Sequence, residues 1–359
     1  MNIDQPAEAV TGTTVTSPRG DSASAAAPPE GRRRGPGMPN LVRLFEVNGL
    51  LILTVLLVVF FSILRPRTFP TPLTAAAILQ ETSTVALLAL GETIVIAAGQ
   101  FDLSIGYVID ICAVLAVGLQ RGGALPWPAV VVLILLLGLV IGFLNGVLVE
   151  YAKIDSFIAT LGVGTIMYGV ANWYTGGQQL VATLPAAFVA LNQARVAFIP
   201  LPALYVVVIA AVLWAALEYL PVGRYLYAVG SNRRAAELVG VRARRYVIGA
   251  FVVSGLITSF AGVILGSKLQ VAESSVGPEY LLPSFVGALL GATTIKPGRV
   301  NVLGTVVAVL ILAIGIAGLE QLGGAFYVEP LFDGSTLIIA VGLAAYAARR
   351  RQRALSAQQ

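Results

Sequence analysis

After roughly forty residues without any period, the chain becomes a succession of apolar runs separated by short polar or glycine-bearing links. The runs cover roughly 47–64, 82–98, 104–119, 127–148, 156–174, 202–220, 246–268, 281–293, 300–321 and 332–347. A run of about 18 apolar residues is long enough to cross a bilayer as a helix. Backbone in lipid must close its own hydrogen bonds, and barrel strands would alternate apolar with polar residues. These runs do not alternate. They predict an all-α polytopic membrane bundle of about ten spans over residues 41–348. The second and eighth runs are short and carry glycine, which sets them apart from simple spans and suits a broken or re-entrant helix.

Residues 1–40 are rich in Ala, Pro, Ser, Thr and Gly and read as a disordered tail; no apolar stretch follows a basic start, so they are not a signal peptide. Residues 349–359 read as a short basic tail. Charge sets the expected orientation. With the N-terminus cytoplasmic, eighteen Lys and Arg fall on the inside and five on the outside. That is the positive-inside pattern, and it places both termini in the cytoplasm. An eight-span arrangement would do the same.

Composition narrows the function. Hydrophobic residues make up 57% and charged residues 11%, against about 25% charged in a soluble domain. There is no histidine and one cysteine, Cys112. Disulfides, Cys/His zinc sites and His-dependent nucleophilic triads are therefore excluded. Cys112 reads as a small buried filler. The net charge of +5 comes largely from arginines beside apolar runs, a pattern of membrane orientation and not of nucleic-acid binding. No G-x-x-x-x-G-K-[ST] phosphate loop occurs, so any ATP that drives this protein is bound by another chain.

Small residues recur at helix-packing spacing: Gly138, Gly142 and Gly146, then Gly262 and Gly266, then Gly287 and Gly291. Packing within one subunit is the plain reading, with a subunit interface as the alternative. Two polar segments carry chemistry. The first, GQFDLSIG over 99–106, puts Asp102 and Ser104 between glycines that allow unwound backbone. An acid at the bilayer centre costs about 2.5–3.5 kcal/mol on insertion scales, so it faces protein or water. Asp102 is either a structural knot joining two helices or an ion-coupling group. Glu92, Asp110 and Glu320 are further acids in or near the spans, and no Lys or Arg lies mid-run to pair with them. Asn145, Tyr168, Asn172, Trp173 and Tyr174 could meet a sugar, although aromatics near span ends also serve as interfacial anchors.

The second segment is PVGRYLYAVGSNRRAAELVGVRARR, residues 221–245, on the expected cytoplasmic face. Ser231 or Asn232 can cap a helix of about two turns that Gly240 ends. Arg233 and Glu237 can pair across it. With Ala235, Ala236, Leu238 and Val239 it offers an apolar patch beside cations, suited to a groove on a partner. A basic loop that only enforces topology is the alternative.

At these segments the chain resembles the permease subunits of ABC importers for ribose, xylose, arabinose and galactose. Four matches occur in the family's order: GQFDLSIG, Asn145 with Gly146, KIDSFIATLG over 153–162, and residues 223–236. The chain departs from the pattern at Gln100, and at Lys296 and Pro297 within GATTIKPGRVN. The resemblance implies a non-catalytic subunit of the bacterial inner membrane that works by alternating access. Its implied partners are a separate ATPase holding ATP and Mg, an extracytoplasmic solute-binding protein, and a second permease, taken as identical. By matched position, Gly223, Arg224, Ala228, Gly230, Asn232, Ala235, Ala236 and Gly240 form the ATPase-coupling loop. Asp102, Ser104, Asn145, Phe157 and Thr160 lie near the translocation pathway. The rival readings are an ion-coupled secondary transporter, and an importer permease for branched-chain amino acids or nucleosides.

Overall fold

A computed structural model describes residues 40–336 except 294, 297, 325 and 326, together with 338, 339 and 342. The expected tails fall outside these residues apart from residue 40, as does much of the tenth run. The described chain is helical almost throughout. Its principal helices are α1 (Asn40–Leu64), α2 (Pro72–Ala97), α3 (Ile105–Gly118), α4 (Trp127–Glu150) and α5 (Ser156–Thr175). A short α6 (Ala186–Gln193) precedes α7 (Leu201–Tyr219), α8 (Pro221–Ser231) and α9 (Arg233–Leu238). Then come α10 (Ala243–Leu269), α11 (Leu281–Gly291) and α12 (Val302–Gln321). Residues 328–336 are also helical. Among the described residues, five helices are long and apolar enough to cross a membrane: α2, α4, α7, α10 and α12.

Local chemistry sets the ends. Thr71 is extended and accepts from the Thr74 amide, with Pro72 at the first helical position. Asp155 caps α5 through the Phe157 amide, and left-handed Gly176 stops it. Asn301 caps α12 through Gly304. The second run is therefore corrected. It is neither short nor broken but the latter part of α2, one helix of 26 residues. Its opening turns look polar because they meet partners: Thr74 with Gln321, Gln80 with the Asn192 carbonyl, Glu81 with Lys268. The short members are α3, with 14 residues, and α11, with 11, the latter as the eighth run suggested.

Contacts give each helix a direction. Gly138, Gly142 and Gly146 of α4 meet Gly255, Phe251 and Ile248 of α10 in that order, so these two helices are antiparallel. Gly262 and Gly266 of α10 meet Cys112 and Ala116 of α3, a parallel pair. Gly287 and Gly291 of α11 meet Val309 and Thr305 of α12, again antiparallel. Thr93 with Thr305, and Thr74 with Gln321, run α2 against α12. The successive helices α3 and α4, and α11 and α12, thus run in opposite directions, as repeated crossings require. All three glycine faces pack within the subunit, and Cys112 is the buried filler its setting suggested. Of the five long spans α10 is the most buried and α7 the least.

The glycine seams have no slack. A Cβ at Gly142 would collide with the Phe251 carbonyl oxygen, a backbone atom that cannot step aside. Gly142→Val is expected to lower the thermal-unfolding midpoint in detergent through overpacking of roughly 1–3 kcal/mol or more. Gly249→Ala, which meets open space, should not lower it; equal effects would show that the α4–α10 seam does not limit stability.

Candidate functional site

Between α2 and α3 the chain leaves helical geometry inside the bundle, and each amide it frees finds an acceptor. Gly99 N–H donates to the Ile96 carbonyl (2.9 Å) and Gln100 N–H to Val95 (3.1 Å). Phe101 N–H donates to Ser156 Oγ (3.2 Å), Asp102 N–H to Glu92 Oε1 (3.3 Å) and Leu103 N–H to Thr160 Oγ1 (2.9 Å). Ser104 N–H closes on Asp102 Oδ1 at 3.0 Å. Six consecutive amides are satisfied, as apolar surroundings demand. Gly99 starts the break with φ +77°, a value glycine adopts without strain.

The side chains complete a buried knot. Ser104 Oγ donates to Asp102 Oδ1 at 2.5 Å, and Asn145 Nδ2 of α4 donates to Ser104 Oγ at 2.8 Å. Ser254 of α10 reaches Asp102 Oδ2 at 3.4 Å. Glu92, Asp102, Ser104, Asn145, Thr160 and Ser254 are all buried. The structure thus brings four of the five expected pathway residues together as a tie between α2, α3, α4, α5 and α10. Phe157 stands apart, half exposed on α5. Ser156 and Ser254 were absent from the site expected from sequence, and Glu92 was expected only as a further acid in or near the spans. Ser156 carried a signal: it lies four residues before Thr160, so both hydroxyls share one helix face.

The second site lies at the other break, between α7 and α10. Residues 221–231, expected as loop, form α8, started by Pro221 at its first position. Gly223 lies against the Leu217 carbonyl, where any Cβ would clash. Then α9 follows the expected plan: Asn232 Oδ1 accepts from Ala235 N–H at 3.0 Å, and Gly240 takes φ +86°. The apolar patch needs correction. Ala236 is only 4% exposed and belongs to the core, whereas Leu238 and Val239, at 83% and 80%, form the projecting tip. Arg224 and Ala235 are exposed, and Ala228 is half-buried with its carbonyl accepting from Asn232 N–H.

A brace missed in the sequence holds α9 to the bundle. Arg233 grips the carboxylate of Glu150 through two bonds of 2.6 Å, while its Nε reaches Glu237 at 3.1 Å. Glu150 is fully buried at the end of α4. Its bonds to Arg233 push that guanidinium's pKa up, so it stays charged. The two sites also touch. Gly230 of α8 abuts the Ala97 carbonyl and Gly99, where a Cβ would collide with the start of the unwound crossing.

The remaining expected residues take structural places. Lys296 pairs with Glu218 at the end of α7, and Arg299 lies 3.5 Å over the Tyr227 ring. Pro297 lies outside the described residues. Asp110 accepts from Gly277 N–H at 2.9 Å, Asn172 accepts from Ser274, and Tyr174 covers Gly118. Trp173 is 81% exposed, as an interfacial anchor would be.

Asp102→Ala removes the acceptor for both Ser104 donors, at about 1–3 kcal/mol for each buried donor left unsatisfied. It should therefore lower the thermal midpoint far more than Glu92→Gln, which keeps an acceptor for Asp102 N–H; the reverse order would discard the knot. Arg233→Ala strands the buried Glu150 carboxylate, expected to cost about 3 kcal/mol. Lys153, 3.6 Å from Glu150, tempers that loss. Glu237→Ala removes only an exposed pair worth below about 1 kcal/mol, and a double-mutant cycle across Glu150 and Arg233 measures the difference.

Residues 74–341 match the family described as branched-chain amino acid transport system / permease component. The ribose import permease protein of Haemophilus influenzae is 30% identical over 293 residues, covering 81% of this chain and 90% of that protein. That of Bacillus subtilis is 33% identical over 291 residues, covering 80% and 88%. An autoinducer 2 import system permease protein of Escherichia coli is 29% identical over 262 residues, covering 72% and 79%. No solved structure matches the chain at a significant level. With its alternating helices, its unwound crossing and a match over most of its length, the chain belongs to this family of transport-system permease components.

Proposed function

We propose that the chain is the membrane-spanning permease of an ATP-binding-cassette importer that moves a monosaccharide or a similar polyhydroxylated solute into the cytoplasm. The solute class rests on the ribose import relatives and on the four sugar-permease motifs. The observation that carries the mechanism is α9. It is a helix too short to be stable alone, yet it is braced by Arg233 on Glu150 and ends in two exposed apolar side chains. Such a tip suits a groove on a separate ATPase, which would hold ATP and Mg.

Orientation follows from charge. Lys153, Arg224, Arg233, Arg242, Lys296 and Arg299 lie in links at the end that bears α9, which is therefore read as cytoplasmic. The opposite end would meet the extracytoplasmic binding protein. In the working cycle the ATPases draw on α9, and the Gly230 contact passes that motion to the crossing at 99–104. Two copies of the chain, with α5 and Phe157 exposed, would enclose the pathway between them. Asp102, Ser104, Asn145 and Thr160 then keep the crossing in shape and do not touch solute. An ion-coupled carrier fits less well, because both Asp102 oxygens already accept hydroxyl hydrogen bonds.

The full chain, tagged and solubilised in mild detergent from its native membranes, is expected to retain a stoichiometric ATP-binding subunit. Leu238→Asp with Val239→Asp should abolish that association and leave membrane insertion and thermal midpoint intact. Full association by the double variant would remove α9 from the interface. Uptake that survives ATP depletion but collapses with an ionophore would replace the importer with a carrier.

A further inference from the structure

A groove of about 650 Å³ opens beside the α9 tip, between α7, α8 and the first half of α10. Its floor is apolar: Ile94, Leu213, Leu217, Leu226, Ala250 and Val253. At its end it changes character. Arg242 and Arg245 stand on the rim with Tyr225 and Tyr246, whose rings lie 5.5 Å apart. From Arg242 to Val253 the groove follows α10 for about 16 Å, at about 1.5 Å of rise per residue. Both arginines are exposed. Among the described residues neither has a carboxylate within ion-pair distance, and the nearby Glu237 is engaged by Arg233.

We infer that this groove is a binding site for an anionic phospholipid, with the phosphate on Arg242 and Arg245 and one acyl chain along the apolar floor. Charge complementarity selects the occupant. Two arginines with no ion pair among the described residues sit where a membrane-spanning helix begins, which is headgroup level, and a hydrocarbon-lined channel runs inward from them. Basic pockets between helices at a membrane edge take anionic headgroups, and each cation contributes about a kilocalorie per mole there. Guanidinium groups suit the task, since they meet phosphate through paired N–H bonds. Tyr225 and Tyr246 are amphipathic rings at the same level. The inference needs only that the chain spans a membrane; it is independent of the solute and of the importer reading. Its consequence is local: Val239, Gly240 and Arg242 lie on the groove, so the lipid would steady the link that joins α9 to α10.

The test is native mass spectrometry of the full-length chain, extracted in mild detergent with whatever partners it keeps. It is titrated with phosphatidylglycerol and, separately, with phosphatidylcholine of the same acyl chains. Wild type is expected to bind the anionic lipid at least tenfold more tightly. Arg242→Gln with Arg245→Gln should weaken that binding roughly 30-fold and weaken phosphatidylcholine less, because choline offsets its phosphate charge. Val253→Trp, which fills the channel, should weaken both lipids. Arg244→Gln should change neither, because Arg244 lies over Tyr151 and not on the groove. Equal affinity for the two lipids, or undiminished binding by the double variant, overturns the proposal. So does loss of bound lipid on adding the ATPase subunit, which would assign the groove to that partner.

Discussion

A chain that leaves helical geometry inside a hydrocarbon layer must supply an acceptor for each amide it frees, because no water is there to do so. The crossing at residues 99–104 meets that demand with six partners in sequence, and much of the surrounding design follows from it. Ser156 and Thr160 must lie one turn apart on α5 to reach amides two residues apart in the crossing. Glu92 must face inward from the last turns of α2. Asp102 must fold back on Ser104, whose hydroxyl then meets Asn145. A polar cluster that resembles a binding site in the sequence is thus, in the fold, what permits a helix to stop and restart within the bundle.

That constraint also explains why the two breaks in the bundle are in contact. The start of the crossing has no side chain at Gly99, and α8 presents Gly230 to it, so backbone meets backbone. Contacts of this kind have no rotamers through which to yield, and a displacement on one side must appear on the other. The first residue of α9 is held by a bidentate ion pair to the end of α4, and α4 is locked to α10 along three glycines. Motion applied at Leu238 and Val239 therefore has two rigid routes inward. One leads through α8 to the crossing, and the other through Glu150 to the α4–α10 pair.

Much of this was legible in the sequence, for identifiable reasons. Helix periods, caps and glycine stops are local, so α9 could be read residue by residue from Asn232 to Gly240. The knot around Asp102 was open to reading because its glycines and hydroxyls sit close together in sequence. What escaped depends on distance along the chain. Glu150 and Arg233 are 83 residues apart, and Ser254 is 152 residues from Asp102. The opening of α2 was missed for a related reason. Thr74, Gln80 and Glu81 lower the local hydropathy, and the partners that receive them lie on α6, α10 and α12. Ala236 was read as surface because a two-turn helix does not disclose which of its faces the bundle covers.

The placement of charge follows the same logic of solvation. At the membrane edge the chain pairs opposite charges, with Glu150 on Arg233 and Glu218 on Lys296. At the crossing it uses hydroxyls and amides instead, and among the described residues Asp102 and Glu92 have no cationic partner. A cation brought to the buried crossing would add its own desolvation cost, several kcal/mol for a buried ion. A hydroxyl supplies a donor at a fraction of that cost. Hydroxyl donors also rotate freely about their bond, so they can follow small shifts between helices that a bidentate ion pair could not. Ion pairs therefore stand where α9 meets α4 and where the link after α11 meets the end of α7. Serine and threonine stand where α5 meets the unwound backbone and where α10 meets the Asp102 carboxylate.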